Sequence, residues 1–448
     1  MGEPLYEEVV GRDKLNRPCR IYAPVGTHQT LLAYLVRRLL ENGANTSFVN
    51  RIADLSFAVD ALIEDPVAAA RRIEPLGAPH PKIALPRDLL QGRLNSAGID
   101  LSNEQRLASL SAALLAGSDT LWQAMPLLAA AAQTGASRPV RNPANHADIV
   151  GSVLEADTIL VGHAVAAAVD GQPIWQATPV AERGRCLLRA ADLLESRMPQ
   201  LAGLIVREAG RSLANAIGEQ REAVDFLRYY AAQAMRDFAN DSHRPLGPMA
   251  CISPWNFPLS IFLGQVSAAL AAGNVVLAKP AEETPLIAAA AVRLLHEAGV
   301  PASAVQLLPG DGRIGAALVA DPRIRGVVFT GSTAVAQSIN RTLAERLNPD
   351  GKPVPLIAET GGINAIIVDS SALPEQVVND VLSSAFDSAG QRCSALRLLC
   401  LQEDVAVPIL RMLQQAMAEL SVGSPDRLSV DVGPVITPEA REAILRHV

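Results

Sequence analysis

The stretch Pro248-Met-Ala-Cys-Ile-Ser-Pro-Trp-Asn-Phe-Pro258 joins a short apolar run to a turn that is flanked by prolines. Similar short apolar runs recur at 274–278, 304–308 and 326–329, and longer helical patterns separate them. Short strands that alternate with helices at this spacing are typical of a parallel sheet. The sequence therefore predicts an α/β domain in which the turn after residue 252 follows a strand end.

The remaining elements are predicted from apolar periodicity and from cap residues. Around the strands, the predicted helices span 160–169, 180–197, 199–210, 212–236, 260–272, 284–298 and 333–346. Nearer the N-terminus, the predicted helices are 29–42, 104–116 and 119–133, and the predicted strands are 20–25 and 47–49. A proline-rich zone that begins after residue 60 interrupts the pattern, so we expect a connector there.

Composition excludes several classes of protein. The chain has 448 residues, of which 49% are hydrophobic and 19% are charged, so it is not a disordered protein. Its formal net charge of −7 argues against a nucleic-acid partner. No window approaches about 18 uninterrupted apolar residues, so we expect no membrane-spanning helix. The N-terminus has no signal-peptide pattern, and a cytoplasmic location is expected.

The five cysteines are an odd number at irregular spacings, which fits neither a disulfide framework nor a zinc site. We therefore predict no metal site. Cys186, Cys251 and Cys400 lie in apolar surroundings and are interpreted as inert core residues. Cys393 differs because Gly-Gln-Arg precedes it and Ser394 follows it.

Five motifs lie where predicted strands end or helices begin, which is where α/β sheets bind ligands. They are Ile252-Ser-Pro-Trp-Asn-Phe-Pro258, Lys279-Pro-Ala-Glu282, Phe329-Thr-Gly-Ser-Thr333, Glu359-Thr-Gly-Gly362 and Gly390-Gln-Arg-Cys-Ser394. In order, approximate spacing and chemistry, this series resembles the NAD(P)-dependent aldehyde dehydrogenase superfamily. The resemblance runs from about residue 140 to residue 448.

The resemblance implies a catalytic set. Cys393 is the nucleophile, since a cysteine thiolate attacks a carbonyl carbon and forms a covalent intermediate. The side-chain amide of Asn256, with the backbone N–H of Cys393, forms an oxyanion hole. Glu359 activates the water that hydrolyses the thioester. Each residue alone has a simpler interpretation as core, turn or solvated loop, and the assignment depends on five motifs in register.

The resemblance also implies NAD as cofactor. Lys279 and Glu282 contact ribose hydroxyls, and Gly331 and Ser332 seat the pyrophosphate at a helix N-terminus. The other implied cofactor contacts are Ile252, Pro254 and Trp255. Ala336 stands where the family often has a glycine.

The N-terminal stretches Cys19–His28 and Tyr34–Asn50 resemble the last part of a proline dehydrogenase flavin barrel. That resemblance implies that Arg37 and Arg38 hold a substrate carboxylate, because guanidinium groups suit carboxylates. The other residues implied for the proline and FAD site are Tyr22, Tyr34, Glu41 and Phe48. By pattern alone, Arg37 and Glu41 are equally an ordinary i, i+4 surface ion pair.

A proline dehydrogenase fused to an aldehyde dehydrogenase is the arrangement of the bifunctional bacterial proline-utilization flavoenzymes. We therefore expect four parts, which are the C-terminal remnant of a (β/α)8 barrel (1–60), a helical connector (61–140), a Rossmann-like NAD-binding domain (141–355) and the N-terminal part of a catalytic domain (356–448). The resemblance implies NAD-dependent oxidation of L-glutamate γ-semialdehyde to L-glutamate, the second step of proline catabolism. It also implies that the full-length parent enzyme is a homo-oligomer, and it is compatible with peripheral membrane association of the parent.

About 50 residues are too few for a closed barrel of roughly 250 residues, so we do not expect FAD to bind this chain. We hypothesise that the chain is an internal fragment of the bifunctional enzyme. Two alternatives stay open. One is a non-catalytic remnant with at most partial nucleotide binding, and the other is a semialdehyde dehydrogenase with a different substrate.

Overall fold

The structure is a computed structural model that describes residues 3–20, 24–43, 56, 58–129 and 137–448. It divides into two compact units, Met1–Ile83 and Ala84–Val448. The predicted four-part division is finer than this and stays a prediction.

The first unit contains four helices among its described residues. They are α1 (Glu3–Val10), α2 (His28–Gly43), α3 (Val59–Leu62) and α4 (Pro66–Arg71). Helix α2 confirms the helix predicted at 29–42. The predicted strand at 47–49 and the central residues of the strand predicted at 20–25 lie outside the described residues.

After a short 3-10 helix (Pro86–Asp88), the first α-helix of the second unit is α5 (Glu104–Ala116), which has the predicted bounds. Four long helices then follow one another: α6 (Thr158–Ala177), α7 (Val180–Ser196), α8 (Met198–Ala209) and α9 (Leu213–Asp237). Local chemistry sets their ends. The Asp157 carboxylate accepts a hydrogen bond from the N–H of Leu160 at 2.8 Å, and the Ser212 hydroxyl accepts one from the N–H of Asn215 at 3.3 Å.

A five-stranded parallel sheet forms the centre of this unit. Its strands are β4 (Met249–Ile252), β5 (Val276–Lys279), β6 (Val305–Leu307), β7 (Gly326–Gly331) and β8 (Leu356–Thr360), and their spatial order is β6-β5-β4-β7-β8. The helices between them are α10 (Ser260–Ala271), α11 (Pro285–Glu297), α12 (Gly312–Ala320) and α13 (Thr333–Ala344). Strands β4, β5 and β6 are buried along their whole length, as expected where helices cover both faces of a sheet. The α/β prediction is confirmed.

A small three-stranded sheet contradicts the helix predicted at 119–133 as far as residue 129, and residues 130–133 lie outside the described residues. Here β1 (Trp122–Ala124) pairs in parallel with β3 (Asn145–Leu154), which also pairs antiparallel with β2 (Ser137–Asn142). Gly151 lies opposite Trp122, and a Cβ added at Gly151 would lie 2.0 Å from the Trp122 carbonyl oxygen. The strand therefore depends on a partner that is distant in sequence, and the alanine-rich composition of 119–133 does not reveal it.

The last part of the chain has its own small core. Strands β9 (Asn364–Val368) and β10 (Leu396–Leu401) pair in parallel, and α14 (Pro374–Phe386) packs beside α15 (Glu403–Ala418). The final helix is α16 (Pro438–His447).

All five cysteines are free thiols, and their burial corrects one prediction. Cys186 and Cys251 are buried, as predicted, but Cys400 on β10 is exposed. Its neighbours Leu399 and Leu401 pack against the small core, and Cys400 faces the opposite way because successive side chains of a strand point to opposite faces. No helix within the described residues is long and apolar enough to cross a membrane.

Candidate active site

The carboxyl ends of four parallel strands meet at one edge of the central sheet. The register sets Ile252 beside both Lys279 and Phe329, and it sets Thr330 beside Glu359. A cavity of about 2110 Å³ opens at this edge. Pockets that bind a drug-sized ligand measure about 300–1,000 Å³, so this cavity has room for a long ligand and a small one together.

All ten residues predicted for catalysis and cofactor binding line this cavity. They are Ile252, Pro254, Trp255, Asn256, Lys279, Glu282, Gly331, Ser332, Glu359 and Cys393. Motifs that are separated by up to about 140 residues in the sequence therefore meet in one place. The roles assigned to the individual residues stay predictions.

The loop that carries Cys393 has an unusual backbone. Ser388, Ala389 and Gly390 have φ angles of 54°, 56° and 67°, which is the left-handed region that residues with a Cβ rarely adopt. Cys393 follows this turn and is exposed. The backbone carbonyl of Cys393 accepts a hydrogen bond from Nδ2 of Asn364 at 2.8 Å. The turn thus presents the thiol at the cavity wall.

Asn256 follows β4 and contacts that loop directly. Its Nδ2 donates a hydrogen bond to the backbone carbonyl of Gln391 at 3.1 Å. Because a carbonyl only accepts, this contact fixes which end of the amide faces the loop, and one amide N–H remains for another acceptor. On the other side, Nη1 of Arg211 donates to the Asn256 carbonyl.

Glu359 lies near the end of β8, which is the last strand in the order of the central sheet. Its side chain is exposed and lines the same cavity as Cys393. An exposed carboxylate at this edge has access to water, which a general base needs. No group of three or more metal-ligating side chains occurs among the described residues.

Lys279 ends β5 and is 7% exposed. Burial lowers the pKa of its ammonium, and the nearby carboxylates of Glu282, Glu283, Asp311 and Glu155 oppose that shift. This set combines donors and acceptors, which suits hydroxyl groups on a ligand. Two strands further along the sheet, after β7, the Ser332 hydroxyl caps α13 by accepting a hydrogen bond from the N–H of Val335 at 3.3 Å.

The residues predicted for the proline and FAD site belong to the first unit of the chain. Tyr34, Arg37 and Arg38 are on α2, and the Arg38 guanidinium lies 5.5 Å from the centre of the Tyr34 ring. Glu41 is in the same helix. Tyr22 and Phe48 lie outside the described residues.

Sequence reasoning missed several residues near the cavity. Gly310-Asp-Gly-Arg-Ile-Gly315 has the G-x-G-x-x-G spacing, follows β6 and opens α12. Gly312 and Gly315 line the cavity, and the glycine spacing was a readable signal. Arg211 and Glu219 form a buried ion pair beside Asn256, but nothing in their local sequence indicates that contact.

The chain belongs to the aldehyde dehydrogenase family, since residues 130–448 match that family and five motifs of the family line one cavity. Residues 1–51 match a second family, proline dehydrogenase.

Some relatives match the whole chain, and others match about two thirds of it. The chain is 63% identical over 457 aligned residues to the bifunctional protein PutA of Klebsiella aerogenes, and the alignment covers 100% of this chain and 35% of that protein. It is 36% identical over 321 residues to a 1-pyrroline-5-carboxylate dehydrogenase of Bacillus mycoides, covering 68% of this chain and 62% of that one. The chain thus spans about a third of the length of its bifunctional relatives.

Solved structures of the same two kinds of protein, from other organisms, are also similar to this chain. A mutant of Bradyrhizobium japonicum proline utilization A superposes with a TM-score of 0.84 at 48% identity, covering 100% of this chain and 43% of that chain. A Thermus 1-pyrroline-5-carboxylate dehydrogenase with bound NAD superposes with a TM-score of 0.74 at 32% identity, covering 79% and 71%.

Proposed function

We propose that this chain carries the aldehyde-oxidising part of a bifunctional proline-utilization enzyme. Its reaction is the NAD-dependent oxidation of L-glutamate γ-semialdehyde, the open form of 1-pyrroline-5-carboxylate, to L-glutamate. The observation that carries the proposal is that Cys393, Asn256 and Glu359 line one cavity with the predicted cofactor residues.

The residues at the sheet edge fit NAD as cofactor. Lys279 is a buried cation among carboxylates, which suits the ribose hydroxyls. The N-terminus of the twelve-residue helix α13 supplies N–H groups for the pyrophosphate, and Gly331 precedes it without a Cβ. A Cβ at Gly331 would lie 2.6 Å from the buried Phe329 ring, so the chain passes closely over that ring.

The chemistry then follows from the side chains. The Cys393 thiolate attacks the aldehyde carbon and forms a C–S bond, while the carbonyl electron pair moves to oxygen. The free N–H of the Asn256 amide and the backbone N–H of Cys393 stabilise that oxyanion. NAD⁺, held by Lys279 and the N-terminus of α13, would supply the hydride acceptor that turns the adduct on Cys393 into a thioester. Glu359 takes a proton from water, which attacks the thioester and releases the acid and the thiol.

The choice of substrate rests on the relatives. The bifunctional relatives are proteins named PutA, and separate relatives are named 1-pyrroline-5-carboxylate dehydrogenases. The similarity of residues 1–51 to proline dehydrogenases favours this substrate over other semialdehydes. For the full-length parent enzyme, the proposal also includes FAD-dependent oxidation of proline.

NADH formation with L-glutamate γ-semialdehyde, followed at 340 nm, tests the proposal. We expect a rate that Cys393→Ala abolishes and that Cys400→Ala leaves unchanged, because Cys400 is an exposed thiol outside the cavity. If no rate depends on Cys393, the chain is a non-catalytic remnant. If another semialdehyde reacts faster, the proposed substrate is wrong.

A further inference from the structure

The Asn256 amide is held by a residue that itself has no part in the proposed chemistry. Gln391 accepts the hydrogen bond from Nδ2 of Asn256 through its backbone carbonyl. It also lies two residues before Cys393. The position of Gln391 therefore sets the direction of one amide N–H, and with it the direction of the N–H that remains for substrate.

The side chain of Gln391 makes three hydrogen bonds to backbone groups. Its Nε2 donates to the carbonyls of Ser388 at 2.9 Å and Pro434 at 3.1 Å. Its Oε1 accepts from the N–H of Ile436 at 3.0 Å. Two donated hydrogen bonds and one accepted hydrogen bond therefore hold the side chain. Two of the three reach the segment Gly433–Ile436, which we call the strap.

The strap is packed against the end of α8 on its other side. A Cβ added at Gly433 would lie 2.5 Å from the Gly210 carbonyl oxygen, and one added at Gly210 would lie 2.6 Å from Cγ of Pro434. Gly210 ends α8 with φ 66°, so glycine is favoured there on both counts. The strap therefore sits at a fixed distance from α8.

The residue after Gly210 completes a circuit of contacts that runs from Asn256 through Gln391 and the strap to the end of α8 and back to Asn256. Arg211 follows Gly210 and donates to the backbone carbonyl of Asn256. Asn256 is thus contacted from one side by Gln391 and from the other by Arg211, and the strap connects these two contacts. All of these residues belong to the second unit of the chain.

We propose that Gln391 and the strap position the Asn256 amide so that its free N–H points at the oxyanion formed on Cys393. Gln391 is a positioning residue in this scheme, since it acts through Asn256 and does not touch the reacting atoms. The inference rests on the proposed function, because it assumes that Asn256 stabilises an oxyanion. Removing an oxyanion-hole donor typically lowers kcat by about 10²–10³-fold, and a misdirected donor loses part of that.

Gln391→Glu tests the proposal with nearly unchanged shape. Glutamate keeps the acceptor for Ile436 and loses both donor contacts, to Ser388 and Pro434. In the full chain, we expect kcat/KM for the aldehyde to fall about 10–100-fold at pH 8, with an unchanged Kd for NAD⁺. Protonation restores one donor, so the loss shrinks towards acid pH. The matched control is Gln376→Glu, at an exposed position on α14 outside the cavity.

A double-mutant cycle separates positioning from a general loss of structure. If Gln391 acts through Asn256, adding Gln391→Glu to Asn256→Ala lowers the NADH burst rate no further. The inference would be overturned if the losses of the two single variants multiplied in the double variant, or if the burst rate of Gln391→Glu equalled that of Gln376→Glu. Either result would leave the proposed function intact. Absence of any Cys393-dependent rate in the unmutated chain would instead refute the proposed function.

Discussion

Oε2 of Glu219 lies 3.3 Å from Nε of Arg211, and both side chains are buried. The same carboxyl group accepts a hydrogen bond from the N–H of Leu259 at 2.8 Å, just before α10. Burial raises the pKa of Glu219 to about 7, although Arg211 opposes the shift. The loop that carries Asn256 is therefore anchored by a carboxyl group that titrates near neutral pH.

A second buried carboxyl group gives a prediction on stability and pH. Glu208 is 1% exposed and accepts from the N–H groups of Leu286 at 2.6 Å and Ile287 at 2.9 Å. Burial raises its pKa from 4.5 to about 8, against these two hydrogen bonds and the charge of Arg138. Between these values the folded state binds more protons than the unfolded state. Its contribution to stability is therefore lost as the pH rises from about 4.5 to 8, by up to about 1.4 kcal/mol per pH unit.

Urea unfolding at pH 5, 6, 7 and 8 checks this dependence. We expect Glu208→Gln to be less stable than the unmutated chain at pH 5, because an amide has only one acceptor for two N–H groups. The difference in the free energy of unfolding between Glu208→Gln and the unmutated chain should become smaller as the pH rises. Glu375→Gln, at an exposed position on α14, should show no such trend. A difference for Glu208→Gln that widens with pH would contradict the assigned direction of the shift.

Glu359→Gln should slow hydrolysis of the thioester more than its formation. Glutamine cannot take the proton from water, whereas the attack by Cys393 does not need Glu359. We expect steady-state NADH formation to fall about 10²–10⁴-fold, with an initial burst of NADH preserved. Stopped-flow absorbance measures both phases. A variant without a burst would show that Glu359 acts before or during hydride transfer.

Lys279→Met should weaken the binding of NAD⁺. The substitution keeps most of the length and removes the ammonium, and a hydrogen bond to a charged group contributes about 1.5–3 kcal/mol. A Kd raised about 10- to 150-fold is therefore expected by titration calorimetry. Lys352→Met is the matched control, since the Lys352 side chain is 80% exposed. Equal Kd values for the two variants would remove Lys279 from the cofactor site.

One substitution should have opposite effects at two glycines. Gly151→Ala places a Cβ 2.0 Å from the Trp122 carbonyl and should separate β1 from β3, at a cost above about 2 kcal/mol. Gly162→Ala lies within α6, where an added Cβ meets nothing within 4 Å. There, alanine should stabilise the chain by up to about 1 kcal/mol. Thermal melting compares the two, and similar shifts of the same sign would argue against the β1–β3 pairing.

The helices and the central strands were predictable because their signals are local. The helix at 104–116 has its predicted bounds, and Ser212 marks the start of α9 as a cap residue. Strand β1 was not predictable, because three residues become a strand only through pairing with β3. The exposure of Cys400 has a similar cause, since what covers a strand is decided by distant elements and not by its neighbours in sequence.

The candidate site also combines features that the sequence predicts with features that it does not predict. Asn256, Glu359 and Cys393 stand in motifs whose residue types and order are visible in the sequence. The contacts that orient them are not visible, because Gln391 reaches Pro434 and Arg211 reaches Asn256 across many intervening residues. Gly310–Gly315 is an exception, since its spacing could have been read directly.

The circuit around Asn256 also constrains the order of events during synthesis. Its members are residues 210, 211, 256, 391 and 434, so its last contact forms only after the strap has left the ribosome. Chains grow at about 5–20 residues per second, so the sheet has several seconds to fold before that happens. The cavity and its cofactor residues can thus exist on a nascent chain before the thiol faces a correctly aimed amide.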